Sequence, residues 1–117
     1  MSLDARDARV VLVTTPDADS ARRIARTLVE ERHAACGNIV PRITSIFRWQ
    51  GAVQEEAETL LVLKTSAERL AALAERVSQL HPYDVPEVLA LPVAAANQPY
   101  LDWLGASVAP GGEADES

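Results

Sequence analysis

Residues 34–65 constrain this chain more than any other stretch. They run from Ala34-Ala35-Cys36-Gly37-Asn38-Ile39 through Ile46-Phe47-Arg48-Trp49-Gln50-Gly51 to Leu60-Leu61-Val62-Leu63-Lys64-Thr65, and they read as one long β-hairpin. The first arm carries Ile39, Val40, Ile43, Ile46, Phe47 and Trp49, branched or aromatic side chains that favour extended backbone. Gln50-Gly51 supplies the turn, because glycine reaches positive φ without steric cost. The second arm starts at Val53 and closes on the unbroken apolar run Leu60 to Leu63. Each arm spans about a dozen residues, roughly twice the usual strand. A helix pair in so short a chain cannot cover that length, so the far end should carry Phe47 and Trp49 into water. Pro41 lies inside the first arm. Proline has no N–H for a ladder, so this arm is expected at a sheet edge, bent or bulged at Pro41. A long, partly apolar edge invites pairing with another chain, and an oligomer follows as the first expectation.

A length of 117 residues suits one domain with a real core, and 48% hydrophobic residues suit a globular chain. No apolar run approaches the ~20 residues of a membrane span, and Met1-Ser2-Leu3-Asp4-Ala5-Arg6-Asp7 does not read as a signal peptide. A single cysteine makes no internal disulfide, which points to a reducing compartment. The net charge of −6 argues against a nucleic-acid partner, which wants a basic face. It is mildly compatible with cationic ligands.

In chain order, residues 1–8 are polar, and Val10-Val11-Leu12-Val13 is a first strand, apolar on both faces. Thr15-Pro16-Asp17 begins a helix, with Thr15 as the capping hydroxyl and proline where its missing N–H does no harm. Ala21, Ile24, Ala25, Leu28 and Val29 follow at helical spacing, to about Arg32. After the hairpin, Thr65-Ser66-Ala67-Glu68 has capping-box spacing. The next helix buries Leu70, Leu73, Val77 and Leu80, and Pro82 stops it. Val88-Leu89-Ala90-Leu91 is a fourth strand. Asn97 caps a short last helix carrying Tyr100, Leu101, Trp103 and Leu104. The folded domain is expected over 8–108, with 109–117 a disordered acidic tail.

The order strand, helix, strand, strand, helix, strand predicts an α+β, ferredoxin-like βαββαβ sandwich with a long hairpin and a short C-terminal helix. Such a sheet normally alternates apolar and polar, because one face meets water. Here the first, third and fourth strands are apolar on both faces, and two helices cannot bury both. A second subunit is expected on the bare face.

The motifs Ala34-Ala35-Cys36-Gly37-Asn38-Ile39, Thr44-Ser45-Ile46-Phe47-Arg48-Trp49-Gln50-Gly51, His81-Pro82-Tyr83-Asp84-Val85-Pro86-Glu87 and Tyr100-Leu101-Asp102-Trp103-Leu104 closely resemble the CutA family of divalent-cation tolerance proteins. The resemblance runs from about Val10 to Val108. It implies a ferredoxin-like fold, a homotrimer akin to the PII-type signalling proteins, a cytoplasmic location, and a part in divalent-cation tolerance, with copper binding attributed to some members. Members credited with a copper site carry a cysteine in the first strand and a His-His pair before Pro-Tyr. Here those positions hold Val13 and Leu80-His81. Gly37 stands where the family usually has a bulkier residue, which is expected to loosen the strand start.

His81, Cys36 and Glu87 are the candidate metal ligands, for Cu(II) or another divalent cation that is not an obligatory cofactor. A thiolate suits soft metals, although a lone cysteine among alanines also reads as a small buried hydrophobe. His81, at a helix end, reads either as a ligand or as a structural imidazole. His33 reads as solvent-facing. Glu56, Glu58 and Asp84 join Glu87 as possible oxygen ligands. Arg48, Trp49, Lys64, Tyr83, Tyr100 and Trp103 are expected to line a cleft between subunits, where a cationic and aromatic lining suits a small anion or a planar molecule. No nucleophile-and-base pattern, phosphate loop or zinc-ligand spacing occurs, so no enzymatic activity is expected. Three readings follow: a metal-responsive trimer, a trimeric sensor of a small molecule, or a structural trimer. The long hairpin carries its own prediction. Trp49→Glu should weaken self-assembly, read by sedimentation; a variant still trimeric at submicromolar concentration would refute that role for the hairpin.

Overall fold

The computed structural model describes residues 3–110. A single 3-10 turn at Ala5–Asp7 leads into β1 (Ala8–Thr15), then α1 (Ala18–Glu30), β2 (Cys36–Trp49), β3 (Ala52–Ser66), α2 (Leu70–Leu80), β4 (Leu89–Pro92) and α3 (Gln98–Val108). The expected acidic tail lies, apart from Ala109 and Pro110, outside the described residues. The strands form one antiparallel sheet in the order β2-β3-β1-β4.

The hairpin is as long as its sequence demands, with arms of 14 and 15 residues. Gln50 and Gly51 both have positive φ, 50° and 82°, the conformation of a two-residue turn matched to strand twist. β2 is an edge strand, and its ladder slips between Val40 and Ile43. Pro41 and Arg42 there oppose one residue of β3, and Arg42 sits at φ 63°. That is a β-bulge, placed where proline cannot donate. The far half of the hairpin projects: the molecule measures 49 × 26 × 23 Å, with a radius of gyration of 15.0 Å against about 13 Å for a compact chain of ~100 residues.

Cross-strand partners share a face, so the register divides the sheet. Val11, Val13, Leu61 and Leu63 point toward α1 and α2, where they form the core with Ile24, Leu28, Leu73 and Val77. The other face carries Val10, Leu12, Val40, Leu60 and Val62, with Leu89 at 56% and Leu91 at 47% exposure. α3 gathers a second small cluster, Leu104 and Val108 against Ala35, flanked by Leu3 and Tyr100.

Three local expectations are corrected. Thr15 does not cap α1: its hydroxyl donates to the carbonyls of Asp17 (3.0 Å) and Thr59 (3.3 Å). Asp17 is the cap, its carboxylate accepting from the Ser20 N–H at 2.7 Å. Burial between β1 and β3 claims the threonine, and the acid also suits the positive helix end. Helix α1 stops at Glu30 rather than near Arg32, because Arg32 turns left-handed at φ 63°. The Arg32 N–H then donates to Val29 O, and the His33 N–H to Leu28 O, a Schellman ending that satisfies the last carbonyls. The capping box before α2 does not close. Ser66 Oγ accepts from the Arg69 N–H at 3.2 Å, which caps the turn over Ala67–Arg69, and α2 starts beyond it without a side-chain cap.

Gly37 is likewise not a loose point. A Cβ there would lie 3.0 Å from Ala25 Cβ and 3.1 Å from Leu63 Cδ2. The missing side chain lets α1 approach the sheet closely. Gly37→Val is therefore expected to destabilise the fold by about 1–3 kcal/mol through overpacking, read by denaturant unfolding. An unchanged midpoint would mean that α1 is free to shift.

Candidate functional site

The site grows from the outer sheet face and from the segment joining α2 to β4. Side chains alternate along a strand, and one extra residue reverses the alternation. The bulge at Pro41-Arg42 does this. Before it, Cys36, Asn38 and Val40 share the outer face with Lys64, Val62 and Leu60; after it, Ile43, Ser45, Phe47 and Trp49 share that face with Glu58, Glu56, Gln54 and Ala52. The bulge thus aims two aromatic rings and two carboxylates the same way.

The segment after α2 crosses over this face. His81 anchors it from beneath. Its Nδ1 accepts the Tyr83 N–H (3.1 Å), and its Nε2 lies 2.8 Å from the Thr14 carbonyl, which can only accept. The ring is therefore the Nε2–H tautomer, with both nitrogens engaged. It is 7% exposed, and the Tyr83 ring packs at 4.8 Å between centroids. The Tyr83 hydroxyl then donates to Glu58 Oε2 at 2.7 Å. Partial burial, with the Glu58 carboxylate beside it, pushes this phenol up to about 12. Further along, Glu87 accepts a long 3.4 Å hydrogen bond from Thr14 Oγ1.

Hairpin and segment enclose an open cleft of about 660 Å³. Glu56, Glu58, Asp84 and Glu87 line it, with Phe47, Trp49, Tyr83, Ile46 and Val85 as its apolar walls. No Lys, Arg or His belongs to that lining. Within one chain, the cleft is therefore acidic and aromatic.

The expected metal ligands do not come together in one chain. Glu87 lines the cleft and His81 underlies it, but Cys36 stands at the other end of the sheet. Cys36 pairs across from Lys64, which pairs with Val10; Thr14 lies four residues further along β1, roughly 13 Å at about 3.3 Å per residue. Lys64 Nζ is 3.6 Å from Cys36 Sγ and also donates to Asn38. Val13 is fully buried in the core and Leu80 packs against it, so neither of these departures from the copper-binding pattern faces the cleft. Among the described residues, no three His, Cys, Asp or Glu side chains converge on a point where one ion could sit. The residues do not fit a tight, soft-ligand copper site within the chain.

Within one chain, the residues expected to line a cleft between subunits fall in three places. Trp49 and Tyr83 share the cleft. Arg48 pairs with Val53 on the opposite face of the hairpin tip. Tyr100 stacks at 5.4 Å on Trp103; its phenol is raised by burial and then by the nearby Cys36, which places it with Lys64 at the far end. Trp103 also borders a shallow hollow beside Arg32 and Ser107. His33, expected toward solvent, is half-buried, its Nδ1 3.2 Å from the Arg69 guanidinium. Thr14 escaped the sequence reading; its only signal was its place on the outer face of β1, in step with Val10 and Leu12.

A four-stranded antiparallel sheet with two helices on one face, a third helix at its end and a projecting hairpin defines an α+β protein whose exposed chemistry lies beside that hairpin. The chain belongs to the CutA1 divalent ion tolerance protein family, whose model matches residues 9–107. It is 59% identical over 95 residues to the divalent-cation tolerance protein CutA of Thermus thermophilus, covering 81% of this chain and 92% of that one. Against the human protein CutA it is 48% identical over 92 residues, covering 79% of this chain and 51% of the human protein. Among solved structures, CutA1 of Oryza sativa superposes with a TM-score of 0.85 at 46% identity, covering 89% of this chain and 96% of the other. The Archaeoglobus fulgidus relative, described as a periplasmic divalent cation tolerance protein, superposes at 0.84 with 34% identity, covering 86% and 98%. Among the described residues, no helix is long and apolar enough to cross a membrane.

Burial of the Tyr83 phenol, and then its Glu58 contact, make stability depend on alkaline pH. The phenol ionises near 10 in the unfolded chain and at about 12 in the folded protein. Between those values the folded state keeps a proton that the unfolded state has lost. Its stabilising share is complete below pH 10 and fades as pH rises to about 12. Tyr83→Phe should flatten that fall, read by urea unfolding across the interval. An unchanged slope would show that neither burial nor Glu58 holds the phenol's proton in solution.

Proposed function

We propose that this chain works as a cytoplasmic homotrimer in divalent-cation tolerance or response, recruiting cations, copper among them, weakly to the cleft beside its hairpin. Binding rather than catalysis is the proposed activity. The observation that carries this reading is the composition of the cleft: four carboxylates and no cationic side chain in one lining. Such a lining focuses negative potential and raises the local cation concentration. Oxygen donors suit hard divalent ions, and scattered carboxylates bind them weakly. Glu87 is the ligand of the expected set best placed to contribute. His81 would join only by giving up its bond from the Tyr83 N–H, and Cys36 would need a second subunit to bring it near.

The ferredoxin-like trimer of PII type is part of the same proposal. Its support is the outer sheet face, where Leu89, Leu91 and Val40 stay exposed. A face this apolar is stable in water when another subunit covers it. The projecting tip adds Ile46 at 67% and Val53 at 65% exposure, surface that a neighbour would bury.

Calorimetric titration of the metal-free protein with Cu(II) and Zn(II) tests the reading. Saturable binding should weaken roughly thirtyfold in Glu58→Gln/Glu87→Gln, since each lost charge removes about 1 kcal/mol of attraction. His81→Ala should lower stability more than affinity, because it leaves the Tyr83 N–H and the Thr14 carbonyl without their partner. No heat at all would overturn cation recruitment. Binding abolished by His81→Ala alone would replace the carboxylates with an imidazole-centred site.

A further inference from the structure

We propose that the His33 ring is a proton-operated latch: when neutral it ties the turn between α1 and β2 to Arg69 at the head of α2, and a second proton on it frees Arg69 and loosens that turn. The latch lies on the helix side of the sheet. Thr65, on the same face as Leu61 and Leu63, donates to the His33 carbonyl at 2.7 Å. The apolar outer face and the hairpin tip take no part in it, and it is independent of cation recruitment. Arginine can only donate, so the 3.2 Å contact from the Arg69 Nη2 to His33 Nδ1 needs a lone pair on Nδ1. The proton of the neutral ring is then on Nε2, which faces Glu31 Oε1 at 3.4 Å. One ring thus accepts from a cation on one side and points its N–H at an anion on the other. A second proton can go only to Nδ1. It sets N–H against N–H, and charge against charge, at hydrogen-bond distance.

The charged groups around the ring are Glu31 in the same turn, Arg69, and Arg76 within α2. Glu31 does not change state in mild acid: the hydrogen bonds from Arg76, at 2.9 and 3.0 Å, hold its carboxyl below the ordinary value. The imidazole is the group that changes. Arg69 holds more than the ring, since its Nε donates to the Arg32 carbonyl at 3.0 Å. Nε and Nη2 belong to one rigid plane, so losing the His33 end of this fork disturbs the Arg32 end. Arg32 is the residue at φ 63°, a conformation that side chains other than glycine's adopt reluctantly. Its own Nη1 donates to the Ser107 carbonyl of α3 at 3.2 Å. The His33 and Ala34 N–H groups close the turn on the Leu28 carbonyl, at 2.8 and 3.2 Å. Release of Arg69 therefore slackens the joint that ties the end of α1 to both α2 and α3.

The test uses the full chain, labelled with nitrogen-15, at about pH 7.5 and about pH 5, on either side of the ordinary imidazole value. The ring signals of His33, identified by their loss in His33→Gln, should show Nε2 protonated and Nδ1 bare at the higher pH. Amide hydrogen exchange, corrected for its intrinsic dependence on pH, should show the His33 and Ala34 N–H groups opening about tenfold more often once the ring holds two protons. His33→Gln offers an acceptor oxygen and a donor nitrogen at every pH, so its Ala34 N–H should stay equally protected at both. A neutral ring protonated on Nδ1 would overturn the latch, because Arg69 would have no acceptor there. So would a ring still singly protonated at about pH 5, or protection that the second proton leaves unchanged. An equal loss of protection in His33→Gln would also overturn it, assigning the loosening to another acid-sensitive group.

Discussion

Side chains on a β-strand alternate faces, and the cleft of this protein depends on where that alternation is interrupted. Pro41 lacks the N–H that an edge-strand ladder would use, and with Arg42 it makes two residues face one across the hairpin. Everything beyond is reversed. Phe47 and Trp49 therefore come to the same face as Glu56 and Glu58, above the segment that holds Tyr83 and Glu87. Were the ladder to run in register, Ile46 and Arg48 would take that face instead. The Arg48 guanidinium would then stand among the same acids, a site for a different charge.

The second constraint is coverage. Two helices bury one side of a four-stranded sheet, and Val11, Val13, Leu61 and Leu63 go beneath them with no exposure. The neighbouring residues on the same strands, Val10, Leu12, Leu60 and Val62, belong to the side that α1 and α2 leave uncovered. Hydrophobic side chains there leave an apolar face open within one chain, the face that the proposed trimer would cover. The acidic cleft opens on this same side, so whatever covers the sheet also decides how the cleft is closed.

His81 joins the two constraints. It is buried where β1 ends, and its two nitrogens hold the Thr14 carbonyl and the Tyr83 N–H. A structural imidazole of this kind places the crossing segment, and with it the aromatic and acidic groups of the cleft's second wall. Of the two readings that the sequence left open for this imidazole, ligand or structural group, the structural one describes it within one chain: it is the peg that holds the crossing segment.

The hairpin, its turn, its proline irregularity and the two-faced apolar strands were legible because each rests on local chemistry: branched side chains, glycine at positive φ, a missing N–H, a period of two. The acids Glu56, Glu58, Asp84 and Glu87 could be picked out by type, and Tyr83 and Trp49 by motif. That these acids line one cleft with those rings could not, since it follows from a reversed register and a loop pinned by a buried histidine. Cap choice went the same way. Thr15 has the right hydroxyl, but burial against Thr59 takes it elsewhere, and Asp17 replaces it. The amino-acid sequence by itself determined the elements, their order and the surplus of apolar surface. Only the tertiary structure decided that Phe47, Trp49, Glu56 and Glu58 share one face within the chain, because which side chains share a face is settled by how the strands pair and where their register slips.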